Sequence, residues 1–62
     1  MYLIIGEQSG EVFFKTHELW KARSIANSKS AKEKVSIVRN IDRIKISTYY
    51  QNKLVLKEKN DG

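Results

Sequence analysis

The sequence predicts an α+β fold, in which a small antiparallel sheet with the element order ββαβββ carries one helix packed on one face. The chain has 62 residues and no cysteine, so we expect a single domain without disulfide bonds. Apolar residues recur with helical spacing over 16–30. Short runs rich in β-branched and aromatic residues indicate strands. The five predicted strands lie at residues 2–5, 11–15, 35–39, 43–50 and 53–57.

The first two strands are predicted to form a hairpin, because residues 6–10 between them supply glycine, serine and other turn-forming residues. Two loops are compatible with the sequence, a two-residue loop at 9–10 and a four-residue loop at 7–10. Both loops give the same pairing parity, so both divide the side chains of the hairpin between the same two faces.

One face of this hairpin is expected to pack on the helix, and the other is expected to face solvent. The predicted inner face consists of Leu3, Ile5, Val12 and Phe14. The predicted outer face consists of Tyr2, Ile4 and Phe13. Because one helix covers only one face of a sheet, we expect an exposed apolar patch on the outer face.

A helix is predicted over 16–30. Thr16 is a favourable N-cap residue, and Glu18 falls in the first turn, where the helix dipole favours a carboxylate. The stripe expected to face the sheet consists of Leu19, Ala22, Ile25 and Ala26. Trp20 lies on the opposite side of the helix, so we expect its indole to be exposed.

The last two strands are predicted to form a second hairpin. A three-residue loop at 51–53 pairs Tyr50 with Leu54 and Thr48 with Leu56. A two-residue loop would instead flip every side chain to the other face, so the parity of the apolar residues favours the longer loop.

Two stretches allow further expectations. Residues 32–46 could form a second helix instead of a strand, since Val35, Val38 and Ile41 also fit a helical spacing. The tail at 58–62 is polar throughout and is predicted to fray, within a single domain that spans residues 1–62.

The sequence offers little for catalysis. His17 is the single histidine, there is no cysteine, and the carboxylates are scattered without metal-ligand spacing. We therefore predict no enzyme activity, no cofactor and no metal site. No apolar run approaches about 18 residues, so no membrane span is expected. The first residues lack a basic leader, which predicts a cytoplasmic protein.

The aromatic residues favour a protein partner. Exposed apolar patches usually mark contact surfaces, and Trp and Tyr are frequent hot-spot residues. The predicted partner-binding residues are Tyr2, Ile4, Phe13 and Trp20. The outer face of the hairpin could also join two copies of the chain as a homodimer, because a small chain gains stability by associating.

The charge distribution favours an alternative. Residues 15–45 hold nine basic side chains and three acidic ones, a net charge of +6. A basic block can follow a phosphate backbone, and bases stack on an aromatic ring in proteins that bind single strands. The residues predicted to bind DNA or RNA are Lys32, Lys34, Arg39, Arg43, Lys45 and Tyr49.

The opening of the chain, MYLII at 1–5 followed by GEVFFKT at 10–16, resembles the start of small accessory proteins encoded by tailed bacteriophages. This resemblance implies a phage or mobile-element protein of the host cytoplasm that binds and modulates a host macromolecule. The leading hypothesis is therefore a non-enzymatic binding protein that modulates or inhibits a host protein, and the alternative is a basic nucleic-acid-binding module.

Overall fold

Five strands and one helix follow the predicted order in the computed structural model, which describes residues 1–57. The elements are β1 Tyr2–Gly6, β2 Val12–Thr16, α1 Leu19–Lys29, β3 Val35–Arg39, β4 Lys45–Tyr50 and β5 Lys53–Lys57. The predicted α+β class with one helix on the sheet is confirmed. The alternative of a second helix over 32–46 is wrong, because β3 and the start of β4 occupy this stretch. The tail predicted to fray, 58–62, lies outside the described residues.

All five strands form one antiparallel sheet in the order β2-β1-β3-β4-β5. The first strand lies between β2 and β3, so the connection from β2 to β3 crosses the sheet, and α1 forms this connection. The strands at the two edges are therefore β2 and β5.

The first hairpin has the four-residue loop at 7–10. The amide of Gly6 donates to the carbonyl of Glu11 at 2.9 Å, and the amide of Gly10 donates to the carbonyl of Gly6 at 2.7 Å. Gly10 has a φ of 77°, a left-handed conformation that glycine adopts without a steric penalty. A bulge in β2 then leaves Phe13 without a direct partner in β1.

The prediction of which hairpin face is buried is wrong. The helix covers the face that carries Tyr2, Ile4 and Phe13, and Ile4 is completely buried. Leu3 and Ile5 alternate with these residues and lie on the other face, which we call the open face. The bulge contributes to this outcome, because it directs Phe13 over Gly6 and pairs Leu3 with Lys15 instead of Phe14.

The third strand explains why this face is buried. Ile37 pairs with Ile4 and is fully buried, whereas Ser36 pairs with Ile5. Directly paired residues share a face, so Ile37 and Val35 extend the face of Ile4, while Ser36 and Val38 extend the open face. The hairpin alone is apolar on both faces, and β3 determines which one joins the core.

The helix is shorter than predicted and begins at Leu19. Glu18 is its N-cap residue and makes no capping hydrogen bond through its side chain. Thr16, the predicted cap, ends β2 and accepts a hydrogen bond from the Glu18 amide at 3.2 Å. The predicted core stripe is confirmed, since Ala22 and Ala26 are fully buried with Leu19 and Ile25 packed beside them. The two alanines allow the helix to lie close to the sheet.

The last hairpin has a two-residue turn at Gln51 and Asn52, so the predicted three-residue loop is wrong. Both residues have positive φ values, 53° and 60°, as in the tight turns that fit the twist of a hairpin. A bulge in β5 leaves Val55 unpaired, and this extra residue restores the predicted pairing of Thr48 with Leu56. Leu54 pairs with Tyr49 and not with Tyr50.

Candidate protein-interaction surface

The final strand is the most exposed apolar element among the described residues. Every residue of β5 is exposed, and Leu54, Val55 and Leu56 retain 50%, 51% and 56% of their accessible surface. One edge of β5 pairs with β4, and the other edge pairs with no strand within residues 1–57. An edge strand with unpaired backbone groups and apolar side chains is a template for another chain.

The helix leaves β5 exposed because of where it lies. It packs against β3, β1, β2 and β4, and β5 is the outermost strand beyond β4. Within residues 1–57, the core consists of residues from β1, α1, β3 and β4, with Phe13 of β2 packed beside them. The apolar side chains of β5 therefore extend the sheet beyond its core.

The bulge at Val55 distributes these side chains over both faces of the sheet. Leu54 pairs with the buried Tyr49 and shares the face on which the helix packs, while Leu56 pairs with Thr48 on the open face. Residues two positions apart in a regular strand share a face, and the extra residue breaks that rule here. The edge consequently presents an apolar group on each face.

Two lysines flank this apolar segment. Lys53 and Lys57 begin and end β5, and neither forms an ion pair with an acid in residues 1–57. Three acids of the described part are already paired. Their ion pairs are Lys21–Glu18 at 3.7 Å, Arg39–Asp42 at 2.9 Å and Lys45–Glu7 at 2.9 Å.

A cluster of polar side chains, hydrogen-bonded to one another, surrounds Glu7 on the open face. Its Oε2 accepts hydrogen bonds from the Ser36 hydroxyl, from Lys45 Nζ at 2.9 Å and from Thr48 Oγ1 at 3.4 Å. The bonds from Lys45 and Ser36 hold the pKa of the Glu7 carboxyl below its usual value, against a smaller opposing effect of burial. Ser36 and Thr48 are buried, so this cluster fastens the first loop to β3 and β4.

The structure separates the residues predicted to bind nucleic acid. Tyr49 was expected to be an exposed stacking residue, and this is wrong because it is only 7% exposed and belongs to the core. A bulge at Ile46 causes the change, since it alters the alternation of side chains along β4. Arg39 and Lys45 are bonded to carboxylates. The continuous basic row on β4 is therefore not formed.

Lys32, Lys34 and Arg43 are exposed, as nucleic-acid binding would require. The two lysines line a shallow groove together with Tyr50, Glu7, Gln8 and Glu33. Tyr50, and not Tyr49, is thus the aromatic residue beside them. The carboxylate of Glu33 accepts long hydrogen bonds from the amides of Gln8 and Ser9, at 3.3 and 3.4 Å.

Of the residues predicted to contact a protein, only Trp20 is on the surface to the extent expected. It is 65% exposed, and Lys21 Nζ lies 5.7 Å from the centre of its ring. Tyr2, Ile4 and Phe13 pack in or against the core, so the prediction that they form an exposed face is wrong. The predicted homodimer therefore lacks the exposed face through which it was expected to form. The predicted contact residues do not include β5. The sequence feature that points to it is the uninterrupted apolar run Leu54-Val55-Leu56 between two lysines.

No protein-family model, curated protein or solved structure matches this chain. Within residues 1–57, no helix has the length and apolar character needed to cross a membrane. The same residues contain no group of three or more acidic or histidine side chains placed to hold a metal ion.

Proposed function

We propose that this chain is a small non-enzymatic protein-binding module that contacts its partner through β5. The observation that supports this is the exposure of Leu54, Val55 and Leu56 on an unpaired edge. Burying apolar surface contributes about 25 cal/mol per Å², so three half-exposed aliphatic side chains at one site favour association. Strand addition to such an edge is a recurrent mode of peptide recognition.

The resemblance of the first residues to phage accessory proteins suggests the kind of partner. In that setting the chain acts in the host cytoplasm and modulates or inhibits a host protein by occupying one of its surfaces. Trp20 is a second candidate contact in this proposal, because its exposed indole has the character of a binding hot spot.

A pull-down from host lysate, with the tagged protein and two matched variants, tests the proposal. Val55→Asp places a charge at the centre of β5, and Ile41→Asp makes the same change at a loop residue that is 87% exposed. After nuclease treatment, the wild type and Ile41→Asp are expected to retain a partner protein in a stoichiometric amount. Val55→Asp is expected to lose this partner. Equal retention by all three proteins would contradict a role for β5.

Nucleic-acid binding is the second candidate, and the groove beside Tyr50 favours it. Lys32 and Lys34 line this groove with the exposed Tyr50, a combination that can hold a phosphate and stack a base. Glu7 and Glu33 also line it, and both already accept hydrogen bonds, Glu7 from Lys45 and Glu33 from the amides of Gln8 and Ser9. The double variant Lys32→Glu/Lys34→Glu should abolish a gel shift of single-stranded DNA or RNA at low salt. Absence of any shift by the wild type would reject this candidate.

A further inference from the structure

We propose that the partner supplies an extended acidic segment that joins the sheet beside β5, with carboxylates near Lys53 and Lys57 and apolar side chains between them. This inference rests on the proposed function, because it specifies the chemistry of the partner at the same edge. It also goes further, because it defines the conformation and the charge pattern of what is bound.

The placement of the apolar side chains favours a strand as the bound element. Leu54 lies on the helix side of the sheet and Leu56 on the open face. A helix docked on the sheet would contact only one of these faces. An added strand lies in the plane of the sheet, and its alternating side chains contact both faces of the edge.

The charges of β5 favour an acidic segment. Lys53 and Lys57 are its only charged residues, and neither has an ion-pair partner within residues 1–57. Opposite charges on neighbouring strands stabilise pairing, and like charges directly opposite each other destabilise it. A segment with acids at both ends matches the pair of lysines, while a basic segment is repelled.

The same charges disfavour a second copy of this chain as the occupant. An antiparallel copy would bring the four lysines of two β5 strands to one seam. The two strands supply no acid to pair with them, so this seam would carry only positive charge. The strand that joins this edge is therefore expected to come from a different protein.

The edge is held in place before any partner arrives. The amide of Gln51 donates to the Ser30 carbonyl at 2.7 Å, and the amide of Asn52 donates to Ser30 Oγ at 3.0 Å. The Asn52 side chain also donates to the Asn27 carbonyl at 2.7 Å. These bonds fix the turn to the end of α1, so ordering the start of β5 adds little to the entropic cost of binding.

Synthetic peptides test the charge pattern directly. The probes share a Gly-Ser flank. One carries the core Glu-Val-Ile-Glu, whose two acids lie on opposite faces of a strand, as Lys53 and Lys57 do. The others carry the core Lys-Val-Ile-Lys or the residues of the acidic core in scrambled order. We expect fluorescence anisotropy to give about tenfold tighter binding for the acidic core than for the basic one, because two favourable charge pairs replace two unfavourable ones. Amide resonances of β5 should shift in the NMR spectrum of the labelled protein.

A charge exchange provides the matched control. Lys53→Glu/Lys57→Glu should reverse the preference in favour of the basic peptide, whereas Lys15→Glu/Arg23→Glu, with the same change in net charge away from β5, should retain the acidic preference. Equal binding of both peptides, shifts confined to other strands, or tighter binding of single-stranded DNA at this lysine pair would overturn the inference. Dimerisation that depends on β5 would also overturn it.

The two proposals can fail separately. If a captured protein is lost on Val55→Asp but its binding is unaffected by Lys53→Glu/Lys57→Glu, β5 is a protein-binding edge without charge selection, and only the inference fails. If Val55→Asp changes neither peptide binding nor capture, both the proposed function and the inference fail.

Discussion

The two edge strands of this sheet differ in what covers them. Each has five residues, each is largely apolar, and each carries a bulge, at Phe13 in β2 and at Val55 in β5. In β2, Val12, Phe14 and Lys15 are exposed, but Phe13 packs against the core and Thr16 is buried, while every residue of β5 is exposed. Composition therefore does not separate a structural edge from a candidate binding edge, and the position of the helix does.

Simple dimensions explain why one edge remains uncovered. A helix is about 10 Å across, while the outer strands of a five-stranded sheet are about 19 Å apart at about 4.8 Å per strand. One helix cannot cover that width. Because only two residues lie between the end of β2 and the start of α1, the helix is held near the β2 side of the sheet, and β5 is left beyond it.

The largest expected effect comes from making the same change at both bulges. Phe13→Asp places a carboxylate against the core and should cost several kcal/mol, about the cost of a severe core mutation, which unfolds a domain of this size. Val55→Asp should cost about 1 kcal/mol or less, because its side chain is half exposed. Circular dichroism during urea titration measures both variants. A folded Phe13→Asp protein would contradict the distinction between the two edges.

A smaller effect is expected at Gly6, beneath the β2 edge. A Cβ atom there would lie 2.9 Å from two ring atoms of Phe13 and 2.9 Å from Glu33 Oε1. Gly6→Ala should destabilise the fold by about 1–3 kcal/mol through this overpacking. The double variant Gly6→Ala/Phe13→Leu should recover part of the loss when unfolding free energies are compared. No recovery would show that Phe13 is not the group that is displaced.

At the β5 edge, Asn52 is the corresponding point of attachment. Asn52→Ala removes the hydrogen bond to the Asn27 carbonyl. It also places alanine, which adopts a positive φ less readily than asparagine, at a φ of 60°. We expect the free energy of unfolding to fall by about 1–2 kcal/mol. Amide hydrogen exchange should accelerate more in β5 than in β2. Asn52→Gly removes the same hydrogen bond but tolerates the positive φ, so it should lose less stability than Asn52→Ala. Equal exchange changes at both edges would indicate a global effect instead.

The smallest effect concerns Glu7, which connects the loop of the first hairpin to β3 and β4. Its pKa is lowered in the folded protein, so its carboxylate contributes stability that is present above the ordinary pKa of 4.5 and is lost as the pH falls through the lower folded value. Because the side chain is partly exposed, the contribution should be under about 1 kcal/mol. Glu7→Gln should be less stable than the wild type at neutral pH, and this difference should shrink on acidification below about pH 4.5. A difference that is constant with pH would contradict the ion pair.

Much of the fold could be predicted because the sequence contains local signals for it. The spacing of Ala22 and Ala26 predicts the buried side of the helix, and the turn residues of the first loop predict a hairpin. The bulges at Phe13, Ile46 and Val55 could not be predicted in this way. Each inserts one residue into a ladder, and its cost is balanced by packing with distant strands that a local pattern does not contain.

The candidate site was predicted less well for the same reason. Parity counted through a regular strand placed Tyr49 on the surface and Ile4 outside the core, and both are buried. Trp20 could be placed correctly because its exposure depends only on helical geometry. The role of β5 depends on the strand order, which is a property of the whole sheet and not of the residues 53–57.

The position of β1 between β2 and β3 has a consequence for the folding pathway. Strands β3, β4 and β5 are joined by short turns, so they can pair early, whereas the Gly6–Val35 pairing must close the chain across residues 7–34. We therefore expect the pairing of β1 with β3, in the interior of the sheet, to form last. The apolar strand β5 would then be exposed in a folding intermediate before the core is complete, and its two lysines would oppose aggregation of that intermediate.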